Sequence, residues 1–283
     1  MGVETVKVPR GAEEDGVEEA FFPEESMRTV SCTVGALLLF ACSGAQKPAA
    51  GGDARSRAQA VVDAPDRTPQ DRALDGGRKP AETLEFLRLQ PGMKVAELGA
   101  GAGYTTELMA RSVAPDGMVY AQNPDLFIQR FLKTRWPERL SRPAMKNVVR
   151  VDREFNDPLP PEAKGLDLVL INVIYHDTTY MDVDRDKMNR AVFDSLKSGG
   201  VYVVIDSSAK PGTGTADAKT LHRIDEQAVR AEVERAGFKL QSEGDFLRNS
   251  QDARDWDSSP GAAAAAGRRG QSDRFALRFV KTG

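Results

Sequence analysis

The chain has 283 residues, of which 40% are hydrophobic and 29% charged, a balance that suits one substantial globular domain with appendages. Its formal net charge of −3 supplies no basic field for nucleic acid or for an anionic lipid surface. Only Cys32 and Cys42 could form a disulfide or a thiolate metal site, and both precede the expected domain; His176 and His222 are the only imidazoles.

In chain order, the acidic stretch 1–26 comes first, with Glu13, Glu14, Asp15, Glu18, Glu19, Glu24 and Glu25 among its residues. An acidic leader is wrong for the start of an export signal, so translation is expected to begin at Met27. Met27 and Arg28 stand before the apolar run Val30 to Ala41, too short to span a bilayer but suited to a signal-peptide core. The run closes as Leu39-Phe40-Ala41-Cys42, which resembles a bacterial lipobox, although Phe40 departs from the small residue usual there. Residues 27–42 therefore read as a lipoprotein-type signal peptide. The expected location is the periplasmic side, with a lipid anchor at Cys42; the domain is cytoplasmic if the leader is not used. Residues 43–78 read as a tether and a charged N-terminal segment, with a short helix around Ala58 and Val61. The segment Arg67 to Lys79 is expected as solvated linker, the alternative being a cover over the domain.

From 79 to 283, helical and strand patterns alternate. Pro80 opens a helix with Leu84, Leu87 and Leu89 on one stripe, and Gln90-Pro91-Gly92 ends it. Strands are expected at Val95 to Leu98, Met118 to Ala121, Val148 to Val151, Leu166 to Ile174 and Val201 to Ile205. A later helix carries Ile224, Ala228, Ala231 and Val233, and Phe238 to Phe246 and Arg274 to Val280 supply two closing strands. This alternation predicts an α/β domain with a doubly wound, seven-stranded, mostly parallel sheet.

The most informative segment is Val95-Ala96-Glu97-Leu98-Gly99-Ala100-Gly101-Ala102-Gly103-Tyr104, a strand that ends in glycines and opens a helix. Such a bend lets main chain approach a ligand where side chains would clash. The dinucleotide pattern fails in both registers, because Tyr104 or Thr106 stands where its last glycine belongs; no Lys-Ser/Thr pair follows for a phosphate loop. The spacing Glu-x-Gly-x-Gly-x-Gly resembles motif I of the class I S-adenosylmethionine-dependent methyltransferases. Leu196-Lys197-Ser198-Gly199-Gly200 is similar to that family's turn before strand five, and Leu166-Asp167-Leu168-Val169-Leu170 to its strand four. The chain resembles in particular a group of exported bacterial predicted methyltransferases of unknown substrate that carry a Tyr-His-Asp motif.

The resemblance implies a Rossmann-like sheet with a last antiparallel strand and S-adenosyl-L-methionine as cofactor. It implies that Gly99, Ala100, Gly101 and Gly103 line the cofactor's amino-acid part, with Glu97 toward its ammonium. Gln122-Asn123 stands where an acidic residue usually grips the ribose hydroxyls, with Asp125 slightly later; Glu154 or Asp157 is the candidate for the adenine amino group, and Asn172 lies at the end of strand four.

In open α/β sheets ligands sit beyond the carboxyl ends of strands, so the tail Asn172 to Asp177 should face the reacting methyl group. His176 is the candidate base, with Asp177 or another carboxylate to orient it, Tyr175 beside it, and His222 converging from the next strand. Arg223 is either a contact for an acidic substrate group or solvated. Asp182-x-Asp184-x-Asp186 lacks the Gly at 187 and Glu at 193 of a calcium loop, so it reads as a helix start and no metal site is expected. The tract Trp256 to Gly270 reads as a surface loop, the alternative being closure over the acceptor site. The expected activity is methyl transfer to a small molecule, with contact to a membrane only through the N-terminal anchor. The competing reading is a non-catalytic exported binding module on the same fold.

Overall fold

A computed structural model describes residues 50–283, with side chains from 54 onward. The leader 1–26, the signal segment 27–42 with Cys42, and the start of the tether lie outside the described residues. Three helices come first: α1 (Ala50–Val62), α2 (Pro69–Arg78) and α3 (Pro80–Leu87). Then follow β1 (Lys94–Leu98), α4 (Tyr104–Val113), β2 (Met118–Asn123), α5 (Asp125–Phe127), α6 (Arg135–Leu140) and β3 (Val148–Asp152). The second half holds β4 (Leu166–Asn172), α7 (Arg185–Ser195), β5 (Leu196–Ser207), α8 (Ala218–Leu221) and α9 (Glu226–Arg235). It closes with β6 (Phe238–Gly244), α10 (Pro260–Ala265) and β7 (Arg274–Lys281).

The seven strands form one sheet in the order β3-β2-β1-β4-β5-β7-β6. Strands β1 to β5 pair in parallel, whereas β7 runs antiparallel between β5 and β6. This is the doubly wound, mostly parallel sheet that the residue pattern predicts, with the antiparallel last strand that the resemblance implies. Strand alternation divides the core between two faces. Val95, Val119, Leu168, Leu170, Val201 and Val203 pack with α1, α3 and α4. Their neighbours Ala96, Leu98, Tyr120, Val169, Ile171, Tyr202 and Val204 pack with Met188 and Val192 of α7 and Val229 and Val233 of α9.

Two segments outside the expected domain core belong to the fold. Ala58 and Val62 of α1 are buried in the cluster with α3 and α4. The stretch expected as solvated linker forms α2: Thr68 caps it by accepting from the Asp71 N–H, Pro69 occupies the first turn, and Lys79 ends it in the left-handed region. With Gly76 and Gly77 in its last turn, α2 has poor intrinsic helix propensity. Tertiary contacts hold it: Asp71 pairs with Arg139 at 2.6 Å, and Asp75 accepts from Arg67 at 2.7 Å and from the Tyr104 hydroxyl at 2.6 Å.

The topology also places the long connection 245–273. Gly244 and Ala276 are register partners, as are Ser207 and Arg274, so β6 ends and β7 begins at the edge where the parallel strands end. The Trp256 to Gly270 tract therefore lies at the carboxyl-end edge of the parallel strands, where ligands sit in open α/β sheets. It packs there rather than hanging free, with the Ser258 N–H bonded to Leu221 O at 2.9 Å and the Ser258 hydroxyl to His222 O at 2.7 Å.

Candidate active site

At the end of β1 the chain turns through Gly99, Gly101 and Gly103, all left-handed at φ 63°, 58° and 80°. Packing gives the outer two a second reason to lack a side chain. A Cβ on Gly99 would stand 2.8 Å from the Ile174 side chain, and one on Gly103 2.6 Å from the Trp136 ring. Gly101 differs: no atom comes within 4 Å of where its Cβ would be. Its bare main chain faces open space.

The loop is braced from β2. The Gly99 N–H donates to Gln122 Oε1 at 2.9 Å, the Ala100 N–H to Gln122 O at 2.9 Å, and the Gly101 N–H to Asn123 Oδ1 at 2.8 Å. The Asn123 amide returns a bond to Gly101 O at 3.1 Å. Three successive N–H groups are thus turned toward β2, unlike a phosphate nest, where they would point at the ligand. Asn123 is fully buried and both ends of its amide are committed to Gly101. Its geometry braces the cradle instead of presenting a free amide to ribose hydroxyls. Glu154 is exposed and accepts the Asp125 N–H at 3.2 Å, joining the loops after β3 and β2. Asn172, half-buried, donates to the Thr105 hydroxyl on α4 at 3.3 Å.

Glu97 lies behind the loop, 3% exposed, and accepts from the Thr106 hydroxyl. Burial pushes its pKa up to about 7, against the pull of Thr106, Thr105 and Arg78. Over this end of the sheet runs α2, whose Arg78 stacks on the Tyr104 ring, 4.4 Å from its centroid.

The second half of the site gathers at the ends of β4 and β5. Val173, a β-branched residue, sits at φ 58°, a strained conformation costing about 1–3 kcal/mol. Beyond it His176 is buried, with Nδ1 2.7 Å from Asp206 Oδ1 and its backbone N–H bonded to Asp206 Oδ2 at 2.8 Å. Its Nε2 lies 3.3 Å from Asp177 Oδ1, and Asp177 also accepts from the Tyr180 hydroxyl. Burial alone would pull the His176 pKa down; Asp206 and then Asp177 overcome it and push the value up to about 10.

His222 converges on the same place, its ring centroid 5.5 Å from that of His176 and at 80° to it. It is part-exposed, and its Nδ1 lies 2.9 Å from Asp257 Oδ1. The structure does not bring Tyr175 to this cluster. Its hydroxyl is buried on the α7–α9 side, donating to Glu232 at 2.8 Å and accepting from Asn189 at 2.8 Å. Arg223 is neither solvated nor free for a substrate: it is fully buried, bonded to Asp252 at 2.8 Å and Ser208 O at 3.0 Å, under the Trp256 ring.

Three site residues escape a reading of the sequence: Asp206, Asp257 and Arg78. Asp206 is the residue that follows the apolar run of β5, and the rule that sites lie at strand ends would have marked it. Asp257 lies in the low-complexity tract and carries no local signal. Among the described residues no group of three or more His, Cys, Asp or Glu could hold a metal ion. Within the acidic Asp182 to Asp186 stretch, Asp184 caps α7 by accepting the Lys187 N–H at 3.0 Å.

Residues 54–148 match the family model of protein-L-isoaspartate(D-aspartate) O-methyltransferase. A protein-L-isoaspartate O-methyltransferase of Ignicoccus hospitalis is 29% identical over 126 residues, 44% of this chain and 52% of that protein. The chain spans about half the length of the curated relatives it matches. Among solved structures, an S-adenosylmethionine-dependent methyltransferase from Aquifex aeolicus superposes with a TM-score of 0.51 at 17% identity, covering 82% of this chain and 98% of its own. A glycopeptide N-methyltransferase complexed with sinefungin superposes with a TM-score of 0.51 at 16% identity, covering 74% and 87%. In sheet order and in its likeness to these solved structures, the domain has the α/β fold of S-adenosylmethionine-dependent methyltransferases.

Proposed function

We propose that the domain transfers a methyl group from S-adenosylmethionine to a small-molecule acceptor, with His222 as the general base. The observation that carries this reading is the pairing, at one sheet edge, of a loop bare at Gly101 with a carboxylate-oriented, part-exposed histidine. The residues suit the cofactor. Gly99, Ala100, Gly101 and Gly103 would line its amino-acid part, and Glu97, poised at about 7, would meet its ammonium. Glu154 and Asn172 flank the cradle as candidates for the adenine and the methionine side. When bound, the cofactor supplies an electrophilic methyl group on a sulfonium.

The protein's part is positioning and proton removal. With its pKa near 10, His176 is an imidazolium at neutral pH and cannot accept a proton. It is a fixed cation between Asp206 and Asp177. His222 is placed differently: Asp257 holds the Nδ1 side, which fixes the tautomer and leaves the Nε2 lone pair for an acceptor's hydroxyl or ammonium proton. Asp257 then stabilises the imidazolium that forms. Connection 245–273 and α2 cover the edge and limit water. The export signal and the lipid anchor at Cys42 remain our reading of residues 27–42, to be tested by fractionation and mass analysis of the N-terminus.

Calorimetric titration with S-adenosylhomocysteine tests the cofactor; no heat and no thermal shift at millimolar ligand would sink the assignment. Transfer of isotopically labelled methyl to a panel of hydroxyl, amine and carboxylate acceptors tests turnover. His222→Asn should lower transfer about 10²- to 10⁴-fold and leave S-adenosylhomocysteine affinity within about twofold. One observation favours a non-catalytic binding module instead: Asn123, standing where an acidic residue usually grips ribose, is a buried amide committed to Gly101. Binding without transfer across the whole panel would select that reading.

A further inference from the structure

Strand β7 carries Arg274 and Arg278 on one face, 9% and 8% exposed. Neither has a carboxylate at ion-pair distance among the described residues. Arg278 compensates with three oxygens: Gln241 Oε1 at 2.8 Å, Phe86 O at 3.2 Å and Leu87 O at 3.1 Å. Arg274 does not. Its Nη2 donates to Gly77 O at the end of α2, and its buried Nε has no acceptor. The acids nearby are already used. Asp273 pairs with Arg254 at 2.8 Å and accepts the Asn249 N–H, and Asp206 is held by His176.

Next to Gly77 stands a second unneutralised arginine. Arg78 stacks on Tyr104 and makes no hydrogen bond or ion pair among the described residues. It is exposed to solvent, yet desolvation lowers its pKa. The two guanidiniums also oppose each other: the Arg274 pKa falls to about 10, first through burial and then through Arg78. Burying unpaired charge in this way is costly unless an anion completes the arrangement.

We propose that Arg78 and Arg274 together receive a carboxylate beside the end of α2, where Arg274 reaches Gly77 and keeps its Nε unpartnered. That carboxylate belongs to the amino-acid part of the cofactor or to the acceptor, and guanidinium forks suit it by their paired donors. The inference rests on the reading that this edge of the sheet takes S-adenosylmethionine, and the test separates the two.

The probes are S-adenosylhomocysteine, methylthioadenosine, which lacks the amino-acid carboxylate, and succinate, each titrated into the full chain, Arg78→Met and Arg274→Gln. If Arg78→Met weakens S-adenosylhomocysteine about tenfold or more and leaves methylthioadenosine unchanged, the carboxylate is the cofactor's. If S-adenosylhomocysteine is unchanged but succinate no longer binds the loaded protein, it is the acceptor's. Equal weakening of both nucleosides marks a structural effect and overturns the proposal. So does a wild-type chain that binds both nucleosides while neither variant alters S-adenosylhomocysteine or succinate. Should wild type bind neither nucleoside, the cofactor reading falls alone. Succinate on the unloaded protein then decides: binding that needs both arginines upholds the pair, and no binding overturns it. Arg274 also holds the end of α2, so its melting temperature is recorded; Arg78 has no such bond and keeps the test open if Arg274→Gln unfolds.

Discussion

The two halves of the sheet edge are built from opposite materials. At the ends of β1 and β2 the cradle consists of three glycines and two neutral amides, held by bonds spanning 22 and 23 residues. At the ends of β4, β5 and β7 the site is dense with charge, and its links span 30, 35 and 197 residues. The first half is shaped by missing side chains, the second by side chains pinned in pairs. Shape recognition thus rests on local chain geometry, whereas charge placement depends on the completed fold.

The sharpest way to break this contrast is to unpair the charged half. Asp206→Asn leaves His176 buried without its main partner, and should cost about 3–5 kcal/mol in denaturant unfolding at pH 7. The His176 pKa is raised above its ordinary 6.5, so its stabilisation is fully present below pH 6.5 and fades as pH climbs toward about 10. The wild type should therefore lose stability across that window, while Asp206→Asn shows a shallower slope and an imidazole NMR titration moved down. A loss below about 1 kcal/mol would show that the pair does not hold this end together.

On the neutral side, Glu97 sharpens the comparison. Its folded pKa of about 7 lies above the ordinary 4.5, so its contribution is full below pH 4.5 and is lost as pH rises to about 7. Glu97→Gln should flatten that decline and gain on the order of 3 kcal/mol above pH 7. A pH–stability curve unchanged by the substitution would contradict the burial argument.

Smaller effects are expected within the loop. Gly103→Ala meets the Trp136 ring as well as the left-handed backbone, and should cost about 2–3 kcal/mol. Gly101→Ala meets only backbone strain, about 1 kcal/mol, yet should weaken S-adenosylhomocysteine about tenfold. Equal stability losses at the two positions would erase the distinction between packing glycine and ligand-facing glycine.

This contrast also marks what could be read from residues alone. The strands were legible because β-branched runs such as Val201 to Ile205 mark buried parallel strands, and the glycine loop because its spacing is local. Helix α2 was not, since its glycines argue against it and its support comes from Arg139 and Arg67. The direction of Tyr175 was not either: alternation along β4 cannot be carried past Val173, whose left-handed turn resets which side each later residue takes. Asp257 reaches His222 through a connection whose course depends on where β6 ends and β7 begins.

One contact has a bearing on the traffic of small molecules. Helix α2 and the 245–273 connection meet backbone to backbone at Gly77 and Gly270, where a Cβ on either would stand 2.6 Å from the other's Cα. This seam closes only because both partners lack a side chain. A methyl group at Gly77 is expected to wedge it ajar, speeding exit more than it changes the chemistry behind it. Stopped-flow release of a fluorescent nucleoside would register the leak.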